Sequence, residues 1–530
     1  MWSTKKSQPH KRVPPVRNLL ATVALSGFLA GVWLPVSAQT PVSGNQSGVW
    51  NLAGSPYLVT GDVFIPFGQT LTIEPGTTIQ FEQPYYGLLV DGTLVAQGTP
   101  ANPILFTSDK AVKAPGQWEA IYFRDTSDDT NCVMSNCVIE CGGATAYAGE
   151  SIQILSASPT ITNCTVRYSQ TRGVTLYTAD PRIENCAFQT NGGYALGMTS
   201  DSLPRLRNNT AIGNTNNAHA VFGGSFSRTG MWTRDTIPYT IINDLYIANG
   251  RTLTLEPGTT IQFEQPYYGL LVDGTLVAQG TPANPILFTS AEAVKAPGQW
   301  KAISFSDTSD DANCLLQNCV IEYAGGSSVD GSLILLSASP TVRDRTIRFG
   351  AGDGVTASAS TALLRALALL GNGRDGLRAV NGSVPSIINS VIAGNTNLGV
   401  NNFVTTQILN AEGNYWGHSS GPFDNANTDG LGLLNPSGLG DRVSEYVDWS
   451  PFLGSSPLPE PAPTLAITRS GNNVLVTWPT NHTGFRLQST LSLNPPISWI
   501  TISNVPIAGA SYEATVGVTN GSRFFQLVKP

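Results

Sequence analysis

The chain has 530 residues, with 54 Gly, 35 Pro, only 12% charged side chains and 41% hydrophobic ones. Disordered chains are charge-rich and apolar-poor, and helical bundles do not tolerate this much glycine and proline, so both classes fit poorly. The composition suits an all-β protein with many turns.

The N-terminus reads as a targeting segment. Lys5, Lys6, Lys11, Arg12 and Arg17 precede an uncharged apolar run from Leu19 to Leu34, and Val36-Ser37-Ala38 supplies small residues for cleavage before Gln39. Residues 1–38 are therefore expected to be a signal peptide, with an exported product, extracellular or at the cell surface, or else in a periplasm. Its removal leaves 24 basic against 36 acidic side chains, a net charge near −12. Such a surface disfavours nucleic acid and anionic membrane as partners. No later run is apolar enough to span a bilayer.

A duplication dominates the rest of the chain. Leu71 to Trp118 returns at Leu253 to Trp300 with an offset of 182, and 45 of 48 positions are identical. The exceptions are Ile73/Leu255, Asp109/Ala291 and Lys110/Glu292. The match reaches back to Trp50 and Trp232, and forward to LSASPT at Leu155 and Leu336, where the offset becomes 181. Copy A is placed at residues 39–229 and copy B at 230–453. Inside each copy a shorter period of about 22 residues recurs in PTITNCTV (159–166), PRIENCAF (181–188) and PSIINSVI (385–392). Strands this short, one Asn per period and a Gly-containing turn fit coils that stack parallel strands, with the Asn side chains forming a ladder. ALLRALALL (362–370) falls in phase with the coils and is read as strand despite its helical propensity. The two copies are expected to form a continuous or closely stacked rod.

The cysteines are Cys132, Cys137, Cys141, Cys164, Cys186, Cys314 and Cys319, and all but Cys141 directly follow Asn. They lack CxxC spacing, so they read as small side chains at one position of the repeat rather than as metal ligands, with a disulfide framework as the alternative in an oxidising compartment.

The order SPYLVTGDVFIPFGQTLTIEPGTTIQF (55–81), GTLVAQGTPANPILFTS (92–108) and GQW (116–118), closed by GNYWGHSSGP (413–422) and GLGDRVSEYVDWSPFL (438–453), resembles the secreted right-handed parallel β-helix repeat proteins of pectate-lyase-like architecture. The resemblance implies an all-β right-handed parallel β-helix. Residues 454–463 form a Pro-rich linker. Alternating patterns such as NNVLVTWP (472–479) then suggest a small antiparallel β-sandwich over 464–530, which resembles the fibronectin-type-III-like C-terminal modules of secreted bacterial proteins.

Function is read as binding of a polysaccharide, a cell-surface glycan or matrix without cleavage. The alternative is a polysaccharide lyase or glycoside hydrolase acting on acidic polysaccharide, since the fold hosts both. Asn427-Thr428-Asp429-Gly430 resembles one hydrolase motif but stands without its companions and reads as a turn. A lyase needs a base and a cationic stabiliser. The candidates are Arg343, Arg345, Arg348 and Asp344, within a cluster that also holds Arg365, Arg374, Arg378, Asp353 and Asp375. Tyr85, Tyr86, Tyr267, Tyr268, Trp118 and Trp300 could offer rings to sugars. No cofactor is expected apart from Ca²⁺, for which the loops with Asp125, Asp128 and Asp129, and Asp307, Asp310 and Asp311, could supply oxygens.

Overall fold

The computed structural model describes residues 39–528 except 145–148, 328, 459–464, 472, 480–484, 493–496, 504, 510 and 518–522. The expected signal peptide and the second half of the expected linker, 459–463, lie outside the described residues.

Each coil contributes three short strands. In copy A one coil runs Thr160–Thr162, Thr165–Arg167 and Val174–Tyr177, and the next runs Arg182–Glu184, Ala187–Gln189 and Tyr194–Met198. Every strand pairs in parallel with its counterpart one coil away. Along each strand alternate side chains point inward, so Ile161, Val166, Val174 and Leu176 are buried and stack on Ile183, Phe188, Leu196 and Met198. One apolar column per strand position results, and a single core cluster runs from Val42 to Trp449. The segment 362–370 is a strand, Leu363–Leu370, as its phase implies.

The first and second strands of a coil meet at a bend whose residue lies in the left-handed region: Asn136, Asn163, Asn185 and Asn208 in copy A, and Asn318 and Asn389 in copy B, with φ between 46° and 55°. Asn is tolerated there because its short amide bonds locally. The residue after the bend turns inward. That position holds Cys137, Cys164 and Cys186 in three successive coils, each buried and free. The thiols donate to main-chain carbonyls, as from Cys137 Sγ to Ala96 O (3.3 Å).

Asparagine occupies more than one position in the coil, not the single ladder that the sequence period suggests. The bend asparagines are at the surface, whereas the amide ladder forms at a buried corner after the second strand. There Asn191 Nδ2 donates to Asn214 Oδ1 (2.8 Å), and Asn372 Nδ2 to Asn395 Oδ1 (2.9 Å). The second ladder ends on Asp441, whose carboxylate accepts from the backbone N–H of Gly394 and Asn395 and from Asn395 Nδ2. Asp441 lies in the closing stretch, together with the buried Trp416 and Trp449.

Strand pairing continues through residue 230, but the faces change partner. His219–Val221, which stacks on the third-face strand Tyr194–Met198 of copy A, also pairs with Tyr239–Ile241, the second-face strand of copy B. The third face of copy B begins anew at Gly224–Phe226 as an eight-stranded sheet ending at Val400–Asn402. Equivalent surfaces of the two copies are therefore not aligned along the rod. Asp235 closes copy A's inward column of Cys137, Cys164, Cys186 and Asn209 at this junction, accepting from Asn209 and facing the buried His219 Nε2 at 2.9 Å.

Beyond residue 464 the pattern becomes antiparallel. Ala466–Ser470, Asn473–Pro479, Ser511–Gly517 and Ile507–Ala508 form one sheet, and Ile500–Thr501, Arg486–Thr490 and Phe524–Val528 a second. Val476, Trp478, Leu487, Ala514 and Val516 make this module's own core. Among the described residues, no helix is long and apolar enough to cross a membrane.

Candidate functional site: a groove on the third face of the second copy

On the third face of copy B the outward row of side chains runs Leu271, Ser304, Ile334, Thr356, Arg378, Asn401, each the Cα partner of the next. The alternation that buries Leu333, Leu335, Val355 and Leu377 fixes this row on the outside. A groove of about 420 Å³ lies over its first four members. Lys301, Val329 and Asp330 wall one side, and Leu336, Ser358, Val380 and Asn381 the other.

The same row in copy A reads Leu89, Tyr122, Gln153, Thr175, Gly197. Tyr122 stands where Ser304 leaves space, and Glu119, which accepts from Tyr122 Oη, stands where copy B has Lys301. Two substitutions just past the identical block thus remove a ring and exchange a negative wall for a positive one.

A charged network closes one end of the groove. Arg374 Nη1 lies 3.0 Å from Asp330 Oδ1 and its Nε 3.6 Å from Asp353 Oδ1. Arg378 Nη1 reaches both carboxylates, at 3.6 and 3.9 Å, while its guanidinium sits 4.7 Å from the centre of the Phe403 ring. Asp353 is fully buried and accepts from Thr356 Oγ1 and the Asp375 N–H. Burial pushes its carboxyl up to about 6, against the opposing pull of these bonds and of Arg374. Asp375 is occupied by Asn397 and Asn401. The arrangement offers hydroxyl, amide and cationic groups over an apolar floor.

The predicted arginine cluster divides between two surfaces. Arg374, Arg378, Asp353 and Asp375 come together at the groove. Arg343, Arg345, Arg348 and Asp344 lie on another face, along the strand Thr341–Arg348, where Asp344 is the bend residue at φ 54°. Arg343 is outward, with Nη1 3.9 Å from Asp344 Oδ2. Arg348 makes two bonds to Glu322 Oε2, repeating Arg167 on Glu140 in copy A, so it is a structural pair present twice. Arg345 takes the inward position of Cys164 and is 3% exposed, which removes it from any substrate. Among the described residues none of its three guanidinium nitrogens has a hydrogen-bond partner, and burial pulls it down to about 10.

Trp118 and Trp300, expected as sugar platforms, are core residues instead. Both have no exposed surface, stack on Phe81 and Phe263 at 4.1 and 4.2 Å, and donate Nε1 to the carbonyls of Glu140 and Glu322. Tyr85 and Tyr267 are exposed and meet Tyr86 and Tyr268 edge-on, the latter pair leaning on the core.

The acidic loops use their carboxylates internally. Asp128 accepts from Thr130, Asn131 and Thr93, and Asp310 from Asn313 and Thr275, while Asp129 caps Ser158 N. Asn131 and Asn313 hold Asp128 and Asp310 below the usual carboxylate range. Asp125, Asp307 and Asp311 are exposed, and among the described residues no group of three or more His, Cys, Asp or Glu is placed to hold a metal ion. Asn427 to Gly430 is a turn bound to Glu445 and Tyr446 N.

Residues 116–235 match the family model "Right handed beta helix region", and residues 45–170 and 224–327 match "Pectate-lyase like beta helix domain". A 65-residue stretch is 42% identical to Protein bark beetle of Drosophila melanogaster, covering 12% of this chain and 2% of that protein. Solved structures of a GH87 alpha-1,3-glucanase catalytic domain, the D1045A and D1069A variants with nigerose, align at 11% identity and a TM-score of 0.21, over 71% of this chain and 64% of theirs.

Proposed function

Because this chain is a right-handed parallel β-helix repeat protein, with its strands stacked coil on coil, we propose that it is an exported protein that holds a polysaccharide along the third-face groove of copy B without cleaving it. The row spacing of about 4.8 Å per coil gives a linear polymer repeated contacts along one direction. Leu271 and Ile334 supply an apolar floor, and Ser304, Ser358, Asn381 and Lys301 supply polar contacts at the edges. Export rests on the leader pattern of residues 1–38.

The observation that carries the non-cleaving reading is the burial of Asp353. Hydrolysis of a glycosidic bond uses two carboxyl groups facing each other across the sugar. Asp353 has no exposed surface, and Asp330, the carboxylate on the groove wall, is ion-paired to both Arg374 and Arg378. One observation favours the enzyme reading: a carboxyl held near 6 beside a groove is the state a general acid needs.

Affinity electrophoresis against neutral and acidic polysaccharides tests the binding reading. Retardation by at least one polymer, lost in Ile334→Asp and in Ser304→Tyr, is the expected result. Retardation unchanged in both variants contradicts it.

A further inference from the structure

A second groove, of about 440 Å³, lies at the junction of the two copies. Its walls come from both: Tyr194 and Asn216 from the end of copy A, and Gln262, Glu264, Gln265 and Glu292 from copy B. Tyr194 Oη donates to Glu264 Oε1 across 70 residues of chain and fixes that carboxylate in the wall. Thr240 and Gln262 are Cα partners on adjacent coils, and Thr240 Oγ1 donates to Gln262 Oε1 at 3.4 Å.

The duplicated block supplies an independent observation. Three of its 48 positions differ, and one, Ile73/Leu255, is a conservative change inside the core. The other two, Asp109/Ala291 and Lys110/Glu292, fall in this groove. In copy A, Lys110 Nζ reaches over to the Glu82 carbonyl (2.6 Å) and pairs with Asp109 (2.9 Å). Copy B has lost both groups, and with them the ammonium that lies over the equivalent of Glu264. Thr240 also replaces Leu58, adding a hydroxyl to the floor. The divergence within a nearly identical repeat has therefore uncovered and polarised one surface.

We propose that the junction groove is a second glycan site, one that takes a hydroxyl-rich sugar segment without carboxylates. Its described lining carries amides, hydroxyls and two carboxylates, with no Lys, Arg or His. Carboxylate and amide groups bond paired sugar hydroxyls well, whereas a uronate would meet like charge in the lining itself, the neighbouring cations Lys295 (towards Glu292) and Arg172 (towards Tyr194) standing outside it. The proposal does not depend on the third-face groove, whose wall carries Lys301 and whose end carries Arg378.

The test is calorimetric titration of the full exported chain with hexasaccharides of glucose, mannose and glucosamine, and with hexagalacturonate. At least one carboxylate-free hexamer should bind, and its affinity should fall at least 10-fold in the double variant Ala291→Asp/Glu292→Lys. That variant restores the pair copy A already carries at equivalent positions, so folding is expected to survive, and circular dichroism checks it. Gln262→Leu should weaken the same hexamer without altering any hexagalacturonate binding. Ile334→Asp, which disables the third-face groove, should leave this site intact. Unchanged affinity in the double variant, hexagalacturonate competing for the site, or no binding of any carboxylate-free hexamer overturns the proposal. So does binding that appears only with Ca²⁺ and vanishes in Glu264→Gln, which would mark a cation site instead.

Discussion

Replacing Arg345 with leucine should stabilise the protein. Arg345 sits buried in the inward column between Cys319 and Leu367, with no hydrogen-bond partner for its guanidinium among the described residues. Burial lowers it from the ordinary guanidinium range to about 10, and at 1.36 kcal/mol per pH unit this is a penalty of about 3 kcal/mol on the charged folded state. The unfolded chain binds the proton more tightly, so stability rises with pH only above about 10, and the full penalty applies at neutral pH. Leucine already occupies the same position one coil on, at Leu367, which shows that the column accepts its shape. Arg345→Leu should therefore raise the unfolding free energy of the surrounding coils by about 2–3 kcal/mol, read as a higher urea midpoint at unchanged slope. Arg345→Cys, the copy A residue, should move the midpoint the same way by less. A midpoint lowered by Arg345→Leu would refute the reasoning, since it would mean that the guanidinium has a favourable partner in the folded chain.

Asp353 carries a pH signature. Its folded carboxyl near 6 exceeds the ordinary 3.8, so its contribution to stability is present below about 4 and is lost as pH rises to about 6, roughly 3 kcal/mol in all; Asp353→Asn should flatten that part of the stability profile in urea titrations at stepped pH. Trp118→Ala and Trp300→Ala should each cost about 3–5 kcal/mol by opening a cavity beside Phe81 or Phe263, with no direct effect on glycan affinity in protein that remains folded. The seven buried thiols should resist an aromatic disulfide reagent in native buffer and react fully in denaturant, and a chain with every Cys changed to Ser or Ala should still show a β-sheet circular dichroism spectrum. Asn395→Ala should destabilise by about 2–3 kcal/mol, because it leaves the Asp441 carboxylate and the Asn372 amide short of partners, measurable as a lower urea midpoint.

The coil is legible in the sequence because its period is local: a proline or threonine, an inward aliphatic, an asparagine and a second inward residue repeat every 22 residues or so. That grammar places the strands, including Leu363–Leu370, against helical propensity. It does not separate the bend asparagines from the ladder asparagines, because both follow short β-type runs and differ only in which corner of the coil they occupy. Nor does it tell that Trp118 faces inward, since aromatic residues at a coil corner satisfy either side. The change of face at the junction depends on which coil His219–Val221 lands on, and no local motif records that. The third-face groove does leave a trace, in the pairs Glu119/Lys301 and Tyr122/Ser304 immediately beyond the identical block. Those differences carry the information that identity hides. Arg348 resembles a site residue only until its counterpart Arg167 is set beside it.

Whether the groove binds without cutting is tested most directly by incubating purified protein with a polysaccharide it retards and following new chain ends over time, both reducing ends and unsaturated uronates. Stable retention of the polymer is expected, with no ends above those of the Ile334→Asp variant at any pH from 5 to 8. Ends that accumulate with the wild type and disappear with Asp353→Asn would contradict a purely binding groove and make Asp353 the acid of an enzyme.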